Sequence, residues 1–268
     1  MSNSFSLLTI NCFGGYLPGT GRRLLALAHE VEQHADDVAC FQEIQLHRYF
    51  RILQKACRSF PYQAYEPYFH CPKGGLLTLT RIPIQQAQFI SYTERGLWYT
   101  PMIMDKILHK GMLVTSLEWN KIPLIVINTH VLANYVGDWH RHGLYARVEE
   151  KQLRQLADTV QAQRSDAIIL VAGDFNIPRG SRLYHDFLSH SGLEDPLSGD
   201  TRPTHRPPRG IPARYALPLD YVLVRRPTNH TLSIHCDLCL TDRQWVNGRN
   251  QDYFSDHNGI RISITGQD

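Results

Sequence analysis

The sequence predicts an α/β protein built as a sandwich of two β-sheets. Three observations carry this. Short apolar runs of strand length alternate with longer stretches of helical period. Strands and helices interleave in two halves, with helices after the early strands and strand pairs closing each half, which argues against a simple parallel sheet. No linker rich in Pro, Gly or Ser divides the 268 residues, and no short repeat recurs, so one domain over 1–268 is expected.

The elements follow in order. Leu7–Ile10 reads as a buried strand, broken by Gly14-Gly15 and Pro18-Gly19. Arg22–Gln33 carries Leu24, Leu27, Ala28 and Val31 at helical spacing. Asp37–Phe41 is a strand ending in Gln42-Glu43. Leu46–Cys57 is helical, with Phe50, Leu53 and Cys57 on one face. Tyr62–Tyr65 and Gly75–Thr80 are short strands. Met112–Trp119 and Leu124–Asn128 flank a hairpin turn at Asn120–Pro123. Leu144–Gln163 is a long helix, Ala167–Ala172 a continuous apolar strand and Leu183–Ser189 a short helix. The Pro- and Arg-rich stretch Asp200–Pro218 is a loop. Leu219–Val224, Ser233–Leu240 and Gly259–Ile264 are the closing strands.

Hydrophobic residues make up 43% and charged residues 20% of the chain, enough apolar material for a sizeable core. This excludes collagen, coiled-coil and disulfide-scaffold classes. A net charge of +3 is too mild to argue a nucleic-acid partner by itself. No apolar run of 18 residues is present, so no membrane span is expected. Met1-Ser2-Asn3-Ser4 lacks a basic leader and no small-residue cleavage site follows it. The six cysteines read as reduced thiols. Cys236 and Cys239 form a CxxC with no second pair to complete a zinc site, and read as small apolar residues of a strand. These features point to the cytoplasm, with export by a signal-independent route left open.

The chemistry gathers at strand ends. Asn11 follows Leu7–Ile10, Glu43 follows Val38–Phe41, and Asn128 and His130 follow Leu124–Ile127. Asp174 and Asn176 follow Ile168–Gly173, Asp220 begins a strand, and Asp256 and His257 precede the last one. Strand ends in an α/β fold meet at one rim, so these side chains can converge. Hard carboxylate and amide oxygens suit Mg²⁺, with Mn²⁺ as its substitute; zinc would favour Cys or more His. In Gly173-Asp174-Phe175-Asn176 the glycine permits a tight bend, and Asp174 and Asn176 share one side.

Seven segments in order resemble the endonuclease/exonuclease/phosphatase (DNase I-like) superfamily. They are Thr9–Gly14, Phe41–Ile44, Gly75–Ile84, Ile127–His130, Gly173–Asn176, Leu219–Val222 and Ser255–His257. The resemblance runs from about Leu7 to Ile264. It implies a four-layer αββα sandwich and metal-dependent hydrolysis of a phosphoester by in-line attack of water. It also implies roles. Glu43 is the main Mg²⁺ ligand, with Asn11 and Asp256. His257 is the general base or phosphate partner, oriented by Asp220. Asp174 positions or deprotonates the water, Asn176 holds a phosphoryl oxygen and His130 contacts the phosphate. The chemistry agrees: a phosphoester places negative charge where a cation and fixed donors clamp it, and an Asp behind a His fixes its tautomer.

Within the superfamily, Asn11-Cys12-Phe13-Gly14, Lys110-Gly111, His130 after Asn-Thr and the Tyr16–Gly19 loop look like the neutral sphingomyelinase branch. That implies a phospholipid or sphingomyelin-like headgroup. The alternatives are a DNA or RNA nuclease and a non-catalytic binding protein on the same fold. Candidate substrate contacts are Lys110 and the loop residues Arg206 and Arg209, with Arg202, Arg214 and His205 nearby; Trp98–Met104 is a candidate interfacial loop and Trp139 a candidate exposed aromatic.

Overall fold

The apolar runs resolve into two sheets in the computed structural model, which describes residues 4–96, 107–140, 143–207, 210–246 and 251–266. The chain begins β1 (Ser4–Gly14), α1 (Thr20–His34), β2 (Val38–Ile44), α2 (His47–Ala56), β3 (Tyr62–Ala64), β4 (Leu77–Thr80) and β5 (Gln86–Ser91). It continues β6 (Gly111–Trp119), β7 (Ile122–His130), α3 (Leu144–Gln161), β8 (Ile168–Asp174) and α4 (Arg182–Ser191). It closes with β9 (Asp220–Arg225), β10 (Leu232–Cys239), β11 (Gln244–Trp245), β12 (Gln251–Asp252) and β13 (Gly259–Gly266). One sheet has the order β10-β13-β1-β2-β4-β3 and the other β5-β6-β7-β8-β9, with β11-β12 a separate hairpin.

Side-chain alternation builds four layers. Along β1, Leu7 faces the other sheet and Leu8 faces a helix layer; along β8, Ile168 and Leu170 face inward while Ile169 and Val171 face outward. The inner cluster joins Leu7, Val38 and Ile262 of the first sheet to Leu124, Leu170 and Val222 of the second. Helices α1 and α2 cover the first sheet through Leu24, Leu27, Val31, Phe50 and Leu53. Helices α3 and α4 cover the second through Leu153, Leu156, Val160, Leu183 and Phe187. Period 2 in the strands and 3.6 in the helices thus pack as αββα.

The two sheets are also tied by polar groups. Gln42 Nε2 donates to Asn128 Oδ1 at 2.8 Å and to Thr9 Oγ1 at 3.0 Å, and Asn128 Nδ2 donates to the Leu77 carbonyl at 3.0 Å. Both amides are fully buried, so Asn128 belongs to this cross-sheet tie.

Several elements run further than the sequence predicts, and each extension carries polar residues into the ladder. Strand β2 continues through Glu43, β7 through His130 and β8 through Asp174. The hairpin turn is tighter than expected. Asn120 and Lys121 alone form it at φ 51° and 67°, a two-residue turn that matches strand twist. Strand β5 and the β11-β12 hairpin are absent from the sequence reading because both are polar and largely exposed.

Parallel pairing places the rim. β1 pairs parallel with β2, and β7 with β8, so Asn11, Glu43, His130 and Asp174 emerge at one end. Gly14 lies where β1 presses on β2: a Cβ there would meet the Glu43 carbonyl oxygen at 2.0 Å. Gly14→Ala is therefore expected to lower stability by roughly 1–3 kcal/mol through overpacking, measured by urea unfolding. An unchanged midpoint would show that β2 yields at no cost.

Candidate active site

Gly173 does something other than the bend its motif suggests. It sits within the β7-β8 ladder, where a Cβ would meet the Thr129 carbonyl oxygen at 2.0 Å. The close strand spacing delivers Asp174 opposite His130 and, across β9, opposite Asp220. Asp174 Oδ1 accepts the Asn176 N–H at 2.9 Å. This closes a turn that puts Asn176 at φ 53°, a left-handed position asparagine tolerates. Asn176 Nδ2 donates to the Val131 carbonyl at 3.0 Å, and its own carbonyl accepts Trp139 Nε1–H at 2.9 Å.

Asn11 is the hub between the two sheets. Its Nδ2 donates to Glu43 Oε1 at 3.0 Å and to Asp174 Oδ2 at 2.9 Å. Its Oδ1 accepts the Phe13 N–H at 2.9 Å. Glu43, one residue before the end of β2, stands at φ 58°. Burial raises its carboxyl pKa and the nearby Asp256 charge adds to that, while the Asn11 bond opposes both.

The histidines take opposite charge states. His257 Nδ1 donates to Asp220 Oδ2 at 2.8 Å, and its Nε2 stands 3.9 Å from Asp174 Oδ2 and 4.0 Å from Asp256 Oδ1. Burial works against its charged form, but the Asp220 and Asp174 carboxylates outweigh burial and push the ring to about 10. Asp174 is raised to about 7, by burial first and by Asp220 next. His130 is driven well below its ordinary value by burial, then by Lys110 and His257. It is thus neutral, and its Nε2 accepts from Lys110 Nζ at 2.9 Å. Lys110 also donates to the Val131 carbonyl at 2.8 Å.

These shifts give stability a pH dependence. A folded pKa raised from 6.5 to about 10 makes the His257 contribution whole below pH 6.5 and lost as pH rises towards 10. In metal-free protein, stability should therefore fall between pH 6.5 and 8.5, by up to about 1.4 kcal/mol per pH unit from this one group. His257→Asn should fall less steeply, as read by urea unfolding across the window. Equal slopes in the two proteins would contradict the charged-ring assignment.

Eleven sequence-derived candidates divide as follows. Glu43, Lys110, His130, Asp174, Asn176, Asp256 and His257 line one cleft of about 450 Å³. Asn11 and Asp220 stand directly behind it, bonded to the lining carboxylates and to His257. Arg206 is a correction: it does not line the cleft, because its guanidinium is bonded to main-chain carbonyls of two neighbouring segments. Arg209 and the Trp98–Met104 loop lie outside the described residues. Arg202 pairs with Asp200 and Asp237. Nothing in the sequence marks Tyr135 or Tyr215 for a role, and Trp139 is expected there only as an exposed aromatic. All three form the apolar wall with Phe13, Leu108 and Leu217. Tyr135 and Trp139 lie in the segment after β7 and Tyr215 in the segment before β9, places no local pattern marks.

The donor set fits a hard cation. Glu43, His130 and Asp174 offer ligand atoms within 4.8 Å of one another, as do His205, Asp256 and His257. Burial first, and the nearby Asp256 charge after it, disfavour the ionised Glu43 carboxyl; a bound cation offsets both.

A model of the endonuclease/exonuclease/phosphatase family matches residues 8–257. The chain belongs to that family. Among curated relatives, the sphingomyelinase C of Leptospira interrogans is 27% identical over 124 residues, which are 46% of this chain and 21% of that protein. The chain thus spans about a fifth of that relative. Among solved structures, SmcL superposes with TM-score 0.75 at 20% identity, covering 98% of this chain and 99% of that one. TDP2 of D. rerio, complexed with a single-strand DNA product, superposes with TM-score 0.75 at 16% identity, covering 98% and 100%. Both structures share the αββα fold of the family. No helix among the described residues is long and apolar enough to cross a membrane.

Proposed function

We propose that this family member is a Mg²⁺-dependent phosphodiesterase, acting through 1–268 as one catalytic domain on a phospholipid or sphingomyelin-like headgroup. The observation that carries the substrate class is the cleft lining. It combines carboxylates, histidines and amides with apolar and aromatic side chains, with no arginine among the described lining residues. A groove that tracks a polyanionic strand needs cationic side chains along it; a headgroup with one phosphodiester needs far fewer. The relation to a sphingomyelinase C supports the same reading.

The geometry supports the following roles. Glu43 and Asp256, with Asn11 fixing the Glu43 oxygen, would hold Mg²⁺. The ion would supply charge neutralisation at the phosphoryl and leaving oxygens. Asp174, whose carboxyl is poised near neutrality, takes the proton of the attacking water. Protonated His257, held by Asp220, donates to the phosphoryl group as negative charge develops on it. Asn176 fixes a remaining oxygen, and Lys110, which donates to His130 Nε2, sets its charge beside the phosphate. Water adds to phosphorus, the ester P–O bond breaks, the leaving oxygen takes up the equivalent of the proton that Asp174 removed from the water, and a phosphomonoester and an alcohol result. A reducing, cytoplasmic compartment belongs to the same proposal, supported by six free thiols.

The test is product release from a matched panel: sphingomyelin vesicles, phosphatidylcholine vesicles, single- and double-stranded DNA, RNA and inositol phosphates. Lipid turnover dependent on Mg²⁺ is expected. Turnover confined to nucleic acid would replace the lipid reading with a nuclease. Silence across the panel with intact metal binding would favour a non-catalytic binding protein.

A further inference from the structure

Arg206 is surrounded by acceptors. Its Nη1 donates to the Ser255 carbonyl at 3.0 Å and the His257 carbonyl at 3.2 Å. Its Nη2 donates to the Leu240 and Thr241 carbonyls at 3.4 and 3.2 Å and to Asn258 Oδ1. The guanidinium carbon stacks 3.9 Å from the Tyr253 ring centroid. The Arg206 N–H also donates to the Asp256 carbonyl at 2.7 Å. The same short segment is bonded to the turn at both ends. Asn258 N–H donates to the Thr204 carbonyl at 2.6 Å, and Asn258 Nδ2 donates to the Pro203 carbonyl at 2.9 Å. Thr204 Oγ1 accepts the Asp220 N–H at 3.0 Å.

We propose that Arg206 is a positioning residue that clamps the Ser255–Asn258 turn and thereby sets the placement of Asp256 and His257. This rests on the functional reading of those two residues. The physical reason is the shape of the group. A turn that presents two charged side chains to a cleft has its carbonyls pointing away and in need of donors. A planar fork with five N–H donors bridges carbonyls on two segments at once. An ammonium offers one nitrogen and cannot span both. Relaxing the clamp lets Asp256 and His257 drift apart from Glu43 and Asp174, and partners behind a metal ligand typically govern metal affinity by 10- to 100-fold.

The experiment uses the full chain with Arg206→Met, Arg206→Lys and Asp256→Ala, and reads two quantities. Amide hydrogen exchange in metal-free protein reads the turn itself; Mn²⁺ binding followed by electron paramagnetic resonance reads the consequence. In Arg206→Met, exchange at Asp256–Asn258 should rise at least about tenfold while the β7-β8 ladder stays protected. Mn²⁺ affinity should fall by roughly 10- to 100-fold. Arg206→Lys should lie between, and carries the test should the methionine variant fail to fold. Unchanged exchange in the turn, unchanged Mn²⁺ affinity, or an equal loss of protection throughout the protein would overturn the proposal. Wild-type Mn²⁺ affinity in Asp256→Ala would instead remove Asp256 as a ligand, and exchange in the turn then decides the clamp alone.

Discussion

Replacing His257 by alanine should lower kcat by roughly 10²- to 10⁴-fold, the range for losing a proton-transfer or charge-stabilising group. The ring sits with Nδ1 on Asp220 and Nε2 facing Asp174 and Asp256. Lys110, the cationic side chain that lines the same cleft among the described residues, is bonded to His130 instead. The fold should persist, because His257 is bonded through its backbone to Ser255 Oγ at 3.1 Å and its segment is held by Arg206. The loss should appear in kcat more than in KM if the ring acts on charge that develops in the transition state. Steady-state kinetics with a far-UV circular dichroism check measures it; a rate near wild type would mean that the reacting phosphate lies elsewhere.

The second large effect is expected at Glu43. Glu43→Ala removes the carboxylate that Asn11 holds at 3.0 Å from the cleft lining, and with it the proposed Mg²⁺ ligand. Loss of a charge-neutralising ion is a loss of several kcal/mol of transition-state stabilisation, so turnover should fall by at least about 10³-fold. Folding should not suffer, since burial makes the charged Glu43 unfavourable in the metal-free protein. Glu43→Ala is therefore expected to unfold at an equal or higher urea concentration than wild type in the presence of EDTA. A variant that loses activity only because it loses stability would contradict the assigned role.

How far this was legible in the sequence depends on where each residue lies. Strands such as β8, buried on both faces, read as continuous apolar runs. Helices α1 and α3 show their covered stripe. β5, with its Gln86-Ala87-Gln88 start exposed at a sheet edge, has no such pattern to show. At the site, residues on strand ends meet at one rim because parallel pairing leaves few alternatives. Residues whose bonds go to the backbone are not legible in that way. Arg206 has the composition of a phosphate contact, and only the carbonyls around it reveal a clamp. Asn11 carries an oxygen and an amino group, and only its neighbours show that the amino group faces the two carboxylates. The apolar wall of Tyr135, Trp139 and Tyr215 is drawn from two segments far apart in sequence, so no local motif announces it.

The most direct measurement is hydrolysis of an activated phosphodiester, bis(p-nitrophenyl) phosphate, by wild type and Glu43→Ala across a Mg²⁺ titration in ¹⁸O-labelled water. The account predicts p-nitrophenol release that saturates with Mg²⁺ in wild type, vanishes with EDTA, is at background in Glu43→Ala and leaves one ¹⁸O in the phosphomonoester. Release that is independent of Mg²⁺, equal in the two proteins, or without label in the phosphomonoester would contradict metal-assisted attack of water at this cleft.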